Sequence, residues 1–499
     1  MRYESTRGET RRIGAAEAIK LGIAPDGGLF VPQERIGFSR EELKDLARLD
    51  YGGLAAEVLQ RFLTDFSSAE IEQCVRSAYN QDRFAAPEVT PLRKLVEGEY
   101  VLELWHGPTA AFKDLALQIL PHLLTLSCRK TGETDEIVIL VATSGDTGTA
   151  ALEGFRDVPG TRVVVFFPEQ GVSQIQQRQM TTAEGDNVHV VAVKGNFDDA
   201  QNGVKSIFGD KSFNQSLAAC GIKLSSANSI NWGRLVPQTV YYIFAYLDMV
   251  RQGGVSFGEA VNVVVPTGNF GNILAAYYAR QMGLPIARLV CAANANHVLA
   301  DFFSSGVYDR NRSFYRTLSP SMDILISSNL ERLLYEVTGR DHRRVSGWMQ
   351  QLAETGCYQV DKQTLESLQE LFWADFATDR QTQATIRETY QQCGYLLDPH
   401  TAVGKFVYDR YRAATGDPTP TVIAATASPF KFCTSVAEAL FPGLPAEGDE
   451  FSQLRMLSEF CQLAVPRGLQ DLEHRPVRHQ GKADPGEMKF TLRKILGII

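Results

Sequence analysis

The sequence has no excess of basic charge, no closely spaced cysteine pair and no long apolar run. Its 50 Lys and Arg stand against 58 Asp and Glu, a formal net charge of -8. Proteins that grip a nucleic-acid backbone usually present a basic face, so no nucleic-acid partner is expected. The basic pairs Arg11-Arg12 and Arg343-Arg344 are too small to alter this. Eight cysteines lie singly at 74, 128, 220, 291, 357, 393, 433 and 461, with no C-x-x-C pair and no histidine at zinc-ligand spacing. They read as reduced thiols packed like small apolar residues, and no metal site is expected. No window approaches the roughly 18 apolar residues of a membrane span. The N-terminal MRYESTRGETRR is charged with no apolar stretch behind it, which argues against a signal peptide. Internal repeats and low-complexity tracts are also lacking. The expectation is a cytoplasmic protein without a membrane partner.

What is present is an ordinary globular composition over 499 residues, 44% hydrophobic and 22% charged, enough for two or three packed domains. From Ala15 to about Lys94 the pattern is mostly helical, with Ser39 ahead of Glu42 and Ser68 ahead of Ile71-Glu72 as helix starts. Within it, Asp26–Pro32 (DGGLFVP) reads as a turn feeding a short strand. Then the rhythm changes. EIVILVATSG, TRVVVFFP, NVHVVAVKG, VNVVVPTGNFG, ARLVCAANAN and TPTVIAATASPF read as buried strands, separated by helix-like stretches such as GTAALEGFRD and NILAAYYARQMG. Apolar strands alternating with helices predict an α/β fold of two parallel-sheet lobes with a cleft between them. The expected boundaries are a mostly helical N-terminal region at 1–94, a core at 95–450 with its smaller lobe at roughly 130–230, and a C-terminal extension at 451–499. Residues 305–395 read as polar helix, and RHQGKADPGE in the extension reads as loose.

Three stretches carry chemistry. VNVVV runs into Pro266-Thr267-Gly268-Asn269-Phe270-Gly271-Asn272 and on into ILAAYYAR. A helix N-terminus offers unsatisfied N–H groups and the positive end of its dipole, which suit a phosphate. The spacing is not the dinucleotide fingerprint, and no P-loop lysine follows. Taken alone, the stretch reads equally as an ordinary strand-to-helix turn. Ser144-Gly145-Asp146-Thr147-Gly148-Thr149 also lies between a strand and a helix and would make an anion nest suited to a carboxylate. A simple helix cap accounts for one of its hydroxyls but not for all of them. The third stretch is Trp105-His106-Gly107-Pro108-Thr109-Ala110-Ala111-Phe112-Lys113-Asp114, ahead of the amphipathic LALQILPHLL. A lysine beside an aromatic at a helix start is disfavoured as a cation, which is what a Schiff-base lysine requires. The alternative is a surface lysine paired with Asp114.

These motifs occur in one order with S-T-R-G at 5–8, D-G-G-L-F-V-P at 26–32, D-P-H-T-A-V-G at 398–404 and A-T-A-S-P-F-K-F at 425–432. Together they resemble threonine synthases of the longer bacterial and fungal branch, over nearly the whole chain. The resemblance implies a fold type II pyridoxal-phosphate enzyme of the tryptophan-synthase-β group, with pyridoxal 5'-phosphate as cofactor. It implies that Lys113 carries the cofactor as a Schiff base and moves protons, and that Gly268, Asn269, Phe270, Gly271 and Asn272 bind its phosphate. Thr426 would partner the pyridine nitrogen, with Ser428 the weaker choice. Asp146, which stands where shorter members carry Asn, would flank the ring oxygen. Ser144, Gly145 and Thr147 would hold the substrate carboxylate. Asn228, Ser229, Asn231 and Arg234 in SSANSINWGR are the choices for a substrate phosphate, for which a forked guanidinium is suited; a polar helix cap with a surface Arg234 is the alternative. His400 and Lys431 receive no role, and His106 either tunes Lys113 or merely packs.

The resemblance further implies the conversion of O-phospho-L-homoserine and water into L-threonine and phosphate, the last step of threonine biosynthesis, in a monomer or homodimer. A phospho-lyase releasing 2-oxobutyrate and a serine/threonine dehydratase are the alternative activities, and a catalytically inert binding protein is the alternative class. Ala110, where leucine is frequent, and Trp232 are departures from the family pattern.

Overall fold

The β-branched runs form two separate sheets whose strands are buried on both faces, and the helices between them cover those faces. The computed structural model describes residues 1–9, 11–143, 145–443 and 449–498. The larger sheet has six strands, in the order Phe372–Phe376, Ile286–Ala293, Val261–Pro266, Thr421–Ala425, Glu99–Glu103 and Leu92–Val96. All neighbours are parallel except the last, where Leu92–Val96 runs antiparallel to Glu99–Glu103. Alternate side chains of Val261–Pro266 enter two cores. Val261, Val263 and Val265 pack with Ile273 and Leu274 of the helix Gly271–Gln281. Val264 packs with Val403 and Val407 of the helix Pro399–Thr415 on the other face. Each fully buried valine contributes about 1.5–3 kcal/mol, which fixes the register of these strands.

The smaller sheet has five parallel strands, in the order Gly481–Ala483, Val188–Val193, Thr161–Pro168, Glu136–Ala142 and Ile222–Ser225. Its first member corrects the reading of the C-terminal residues as loose. Gly481–Ala483 pairs with Val191–Val193, and Met488 and Leu492 beyond it enter the core of this lobe. Three residues of low β-propensity leave little strand signal; the pairing is a tertiary effect. Residues 305–395 are likewise not only helical, since Phe372–Phe376 is the edge strand of the larger sheet.

The N-terminal helices are Ala15–Leu21, Arg40–Leu46, Tyr51–Phe62 and Ser68–Ala78. Ser39 and Glu42 form the expected capping box, whereas the second box uses Ser67 with Glu70, one residue earlier than the sequence reading. These helices share one continuous core with the larger sheet, with Tyr3 and Phe62 packed against Trp232 at ring separations of 5.5 and 5.6 Å. Among the described residues no helix is long and apolar enough to cross a membrane. The carboxyl ends of Glu136–Ala142, Val261–Pro266 and Glu99–Glu103 lead into the three stretches that carry chemistry, which is where open α/β sheets bind ligands.

Candidate active site

Lys113 stands at the start of the short helix Asp114–Leu117, on a loop stitched to the segment after the central strand. Phe112 N–H donates to the Thr426 carbonyl at 2.8 Å, and Ser428 N–H donates to the Ala110 carbonyl at 3.0 Å. The buried Asp114 carboxylate then ties the loop to itself, accepting from Thr109 N–H and from the Thr109 hydroxyl at 2.8 Å each. Burial pushes that carboxyl up to about 7. A Cβ on Gly107 would lie 2.5 Å from the Asp114 side chain, so only glycine lets the loop close here. Ala110 adopts a left-handed φ of 57°, a conformation that costs any residue with a β-carbon.

Across the cleft, Thr267–Phe270 link the strand Val261–Pro266 to the helix Gly271–Gln281. Phe270 itself takes the left-handed conformation, φ 65°, and opens the first helical turn with its orphan N–H groups. A Cβ on Gly268 would lie 3.0 Å from the Ser321 carbonyl oxygen, a tight approach to backbone that favours glycine. The Asn272 amide is oriented by its neighbours. Its oxygen accepts from the buried Tyr241 hydroxyl at 2.7 Å and from the Tyr242 hydroxyl, which leaves its NH2 group buried and without a partner among the described residues.

Asp146 begins the helix Asp146–Phe155 and is buried. Its Oδ1 lies 2.9 Å from the Lys431 ammonium and accepts from Gln176 Nε2 at 3.0 Å, while Oδ2 accepts from the Ser321 hydroxyl at 2.6 Å. Lys113 Nζ is 3.5 Å from Oδ2 and 3.4 Å from Ser321 Oγ. Sequence reasoning gave Ser321 no role and left His400 and Lys431 unassigned; the fold brings all three to this wall. His400 Nε2 accepts the Ser321 backbone N–H at 3.2 Å, and its Nδ1 faces Asp398 at 2.8 Å. A backbone N–H can only donate, so this network assigns the ring proton to Nδ1.

Lys113, Thr147, Asn228, Ser229, Arg234 and Thr426 line one cavity of about 100 Å³, together with all of Gly268–Asn272. Arg234 is 3% exposed, and its Nε has no partner among the described residues. Asn231 is absent from the lining. Its side chain caps the next helix, accepting from Gly233 N–H at 2.8 Å and donating to the Ile19 carbonyl. Gly145 and Asp146 are not among the lining residues, and a Cβ on Gly145 would meet Gln176 at 2.4 Å. Ser428 turns its hydroxyl to Phe430 N–H. His106 pairs with Glu103 at 2.8 Å and stacks on Trp105. Ser144 lies outside the described residues.

Three family models match the chain. Residues 2–79 match the family "Threonine synthase N terminus", 85–427 match "Pyridoxal-phosphate dependent enzyme", and 401–484 match "Threonine synthase, C-terminal". Threonine synthase from Pseudomonas aeruginosa is 39% identical over 486 residues, covering 97% of this chain and 100% of that one. The chain belongs to the threonine synthase family. Human threonine synthase-like 1 is 44% identical over 439 residues, covering 85% of this chain, but the match takes in only 58% of that longer protein. The crystal structure of a PLP-bound threonine synthase from Brucella melitensis superposes with a TM-score of 0.86 at 40% identity, covering 99% of each chain. The threonine synthase from yeast gives a TM-score of 0.88 at 35% identity, covering 100% of this chain and 99% of that one.

The residues present fit the cofactor that this threonine synthase family uses. A pyridoxal phosphate needs an amine, a phosphate cradle and a partner for its ring nitrogen. Lys113, the Gly268–Asn272 loop and Thr426 line the same cavity, and the unpartnered Asn272 NH2 is a donor in want of an acceptor.

Proposed function

We propose that the chain is a threonine synthase, a lyase that converts O-phospho-L-homoserine and water into L-threonine and phosphate. The observation that carries this reading is the meeting of two anion-seeking sites in one cavity. The Gly268–Asn272 helix start answers one phosphate, and the buried Arg234 guanidinium with its free Nε answers a second. A dehydratase acting on free serine or threonine has no use for the second.

Pyridoxal phosphate, when bound, supplies the electron sink that makes substrate protons at Cα and then Cβ acidic. The protein side of the chemistry falls to a few groups. The Lys113 amine holds the cofactor and, once released, takes and returns a proton at Cα. Burial lowers its pKa, Asp146 opposes that, and the Lys431 and Arg234 charges lower it again, which favours the amine over the ammonium. Arg234, Asn228 and Ser229 grip the substrate phosphate and hold it as the leaving group at Cγ. Thr147, with Ser144 and Gly145, is read as the carboxylate site, and Asp146 as a neighbour of the ring oxygen. The Thr426 hydroxyl, uncharged, faces the ring nitrogen and moderates its pull on electrons. A cytoplasmic monomer or homodimer acting on this small molecule completes the reading.

The test is incubation with O-phosphohomoserine and assay of threonine, 2-oxobutyrate and phosphate together, beside Lys113→Ala. Threonine and phosphate in equal amounts, absent in the variant, are expected. Dominant 2-oxobutyrate would replace the synthase with a phospho-lyase, and no phosphate release from cofactor-loaded protein would refute the substrate.

A further inference from the structure

A buried ammonium is costly unless its donors are met. Lys431, in the turn Pro429–Phe432, has no exposed surface, and its Nζ meets Asp146 Oδ1 at 2.9 Å and the Thr109 carbonyl at 2.8 Å. These partners belong to the helix Asp146–Phe155 and to the loop that ends at Lys113. Gln176 and the Ser321 hydroxyl also donate to the Asp146 carboxylate, at 3.0 and 2.6 Å, so three of its roughly four acceptor positions are taken. Lys113 is left with longer contacts, 3.5 Å to Asp146 and 3.4 Å to Ser321. A carboxylate that already holds one lysine and two neutral donors binds a second lysine weakly.

We infer that Lys431 is a positioning residue that takes up the charge of Asp146, so that Lys113 is held less firmly as a cation. The inference rests on Lys113 as the anchor of the cofactor. The charged groups that face Lys113 are Asp146, Lys431 and Arg234, and Asp146 also faces His400. Burial would push Asp146 up, yet the Lys431 ammonium, with the Ser321 hydroxyl, holds it well below the usual carboxylate range. Asp146 therefore stays an anion. With Lys431 gone, Lys113 is the cation left to it, the amine's pKa rises, and its neutral fraction at neutral pH falls.

The experiment is acetylation of Lys113 by acetic anhydride in the full chain freed of pyridoxal phosphate, followed across pH by mass spectrometry of the Lys113 peptide. Only the neutral amine reacts. In Lys431→Met the midpoint should rise by about one pH unit or more, a roughly tenfold slower reaction at neutral pH, or about 1.4 kcal/mol. Lys431→Arg should restore the wild-type midpoint, which a purely packing role would not. Asp146→Asn should move the midpoint the other way, because Lys431 then stands unopposed, and this variant carries the test should Lys431→Met not fold. An unchanged midpoint in folded Lys431→Met, or in Asp146→Asn, overturns the inference. Capture of pyridoxal phosphate, read by visible absorbance in parallel, tests the anchor separately. Failure of capture in the wild type removes the cofactor reading, while the acetylation midpoints still report on the ion pair.

Discussion

The helix that begins at Asp146 lies so close to the helix that follows Lys113 that one methyl group should separate them. A Cβ built on Gly154 falls 2.0 Å from the Leu117 carbonyl oxygen and 2.9 Å from its carbon. Contacts below 3.0 Å are essentially never seen, and the obstacle is backbone, so the two helices must part by about 1 Å. Overpacking of this kind costs typically 1–3 kcal/mol. Against it, Gly→Ala inside a helix gains about 1 kcal/mol. With a rigid carbonyl in the way the upper end applies, and Gly154→Ala should lose about 2 kcal/mol net. Gly347 supplies the control. It lies inside the helix His342–Thr355 with nothing within 4 Å of its would-be Cβ, so Gly347→Ala should gain about 0.5–1 kcal/mol. The measurement is the shift in urea midpoint of both variants against the wild type. Because Lys113 and Asp146 sit on the two helices, Gly154→Ala should also lower turnover, up to about 100-fold for a 1 Å misplacement. A Gly154→Ala protein stabilised like Gly347→Ala, with wild-type turnover, would refute the close approach.

Asp114 makes stability depend on pH. Its folded carboxyl titrates at about 7 against an ordinary value of 3.8, so the folded state keeps a proton that the unfolded chain gives up between those values. Its stabilising share is full below about pH 4 and is lost as pH rises through about 7, by at most roughly 4 kcal/mol. Asp114→Asn cannot ionise, so the melting temperature of the variant relative to wild type should climb across that window; a constant difference would count against the assignment. Arg234→Gln removes the buried charge proposed for the substrate phosphate. Loss of a charged hydrogen bond is worth about 1.5–3 kcal/mol, so KM for O-phosphohomoserine should rise by about 10- to 150-fold. Inhibition by inorganic phosphate should weaken in step, and an unchanged KM would assign that phosphate elsewhere.

Much of the site was legible because its parts are local. The run from Val261 to Asn272 announces strand, turn and helix by apolar run and glycine, and the structure has that order. The Lys113 loop carries its own motif, Gly107 to Asp114. Ser321 was not legible, since it sits in a polar stretch with no periodicity and reaches Lys113 only through a separation of 208 residues. Lys431 and His400 were quoted inside motifs, but whether a lysine is surface or fully buried is decided by the strand Thr421–Ala425 that carries it into the centre of the sheet. Asn231 went the other way. Its type and setting suited a phosphate, and capping the helix Trp232–Leu235 used it instead. The strands Phe372–Phe376 and Gly481–Ala483 were missed for a common reason. Edge strands need only one partner and keep polar residues, so the alternation that marks a strand is faint in them.

The order of strands in the larger sheet sets a timetable for synthesis. Thr421–Ala425 lies between Glu99–Glu103 and Val261–Pro266, and Tyr100 finds its register against Val422. On the ribosome, at about 5–20 residues per second, the earlier strand waits roughly 15–60 s for its neighbour to emerge. Through that interval Glu99–Glu103 keeps an open edge, and Val261–Pro266 joins it for roughly the second half, the kind of surface that recruits other unfinished chains. The nascent protein should therefore depend on chaperones more than a sheet assembled in chain order would, and strong overexpression should send it preferentially into inclusion bodies.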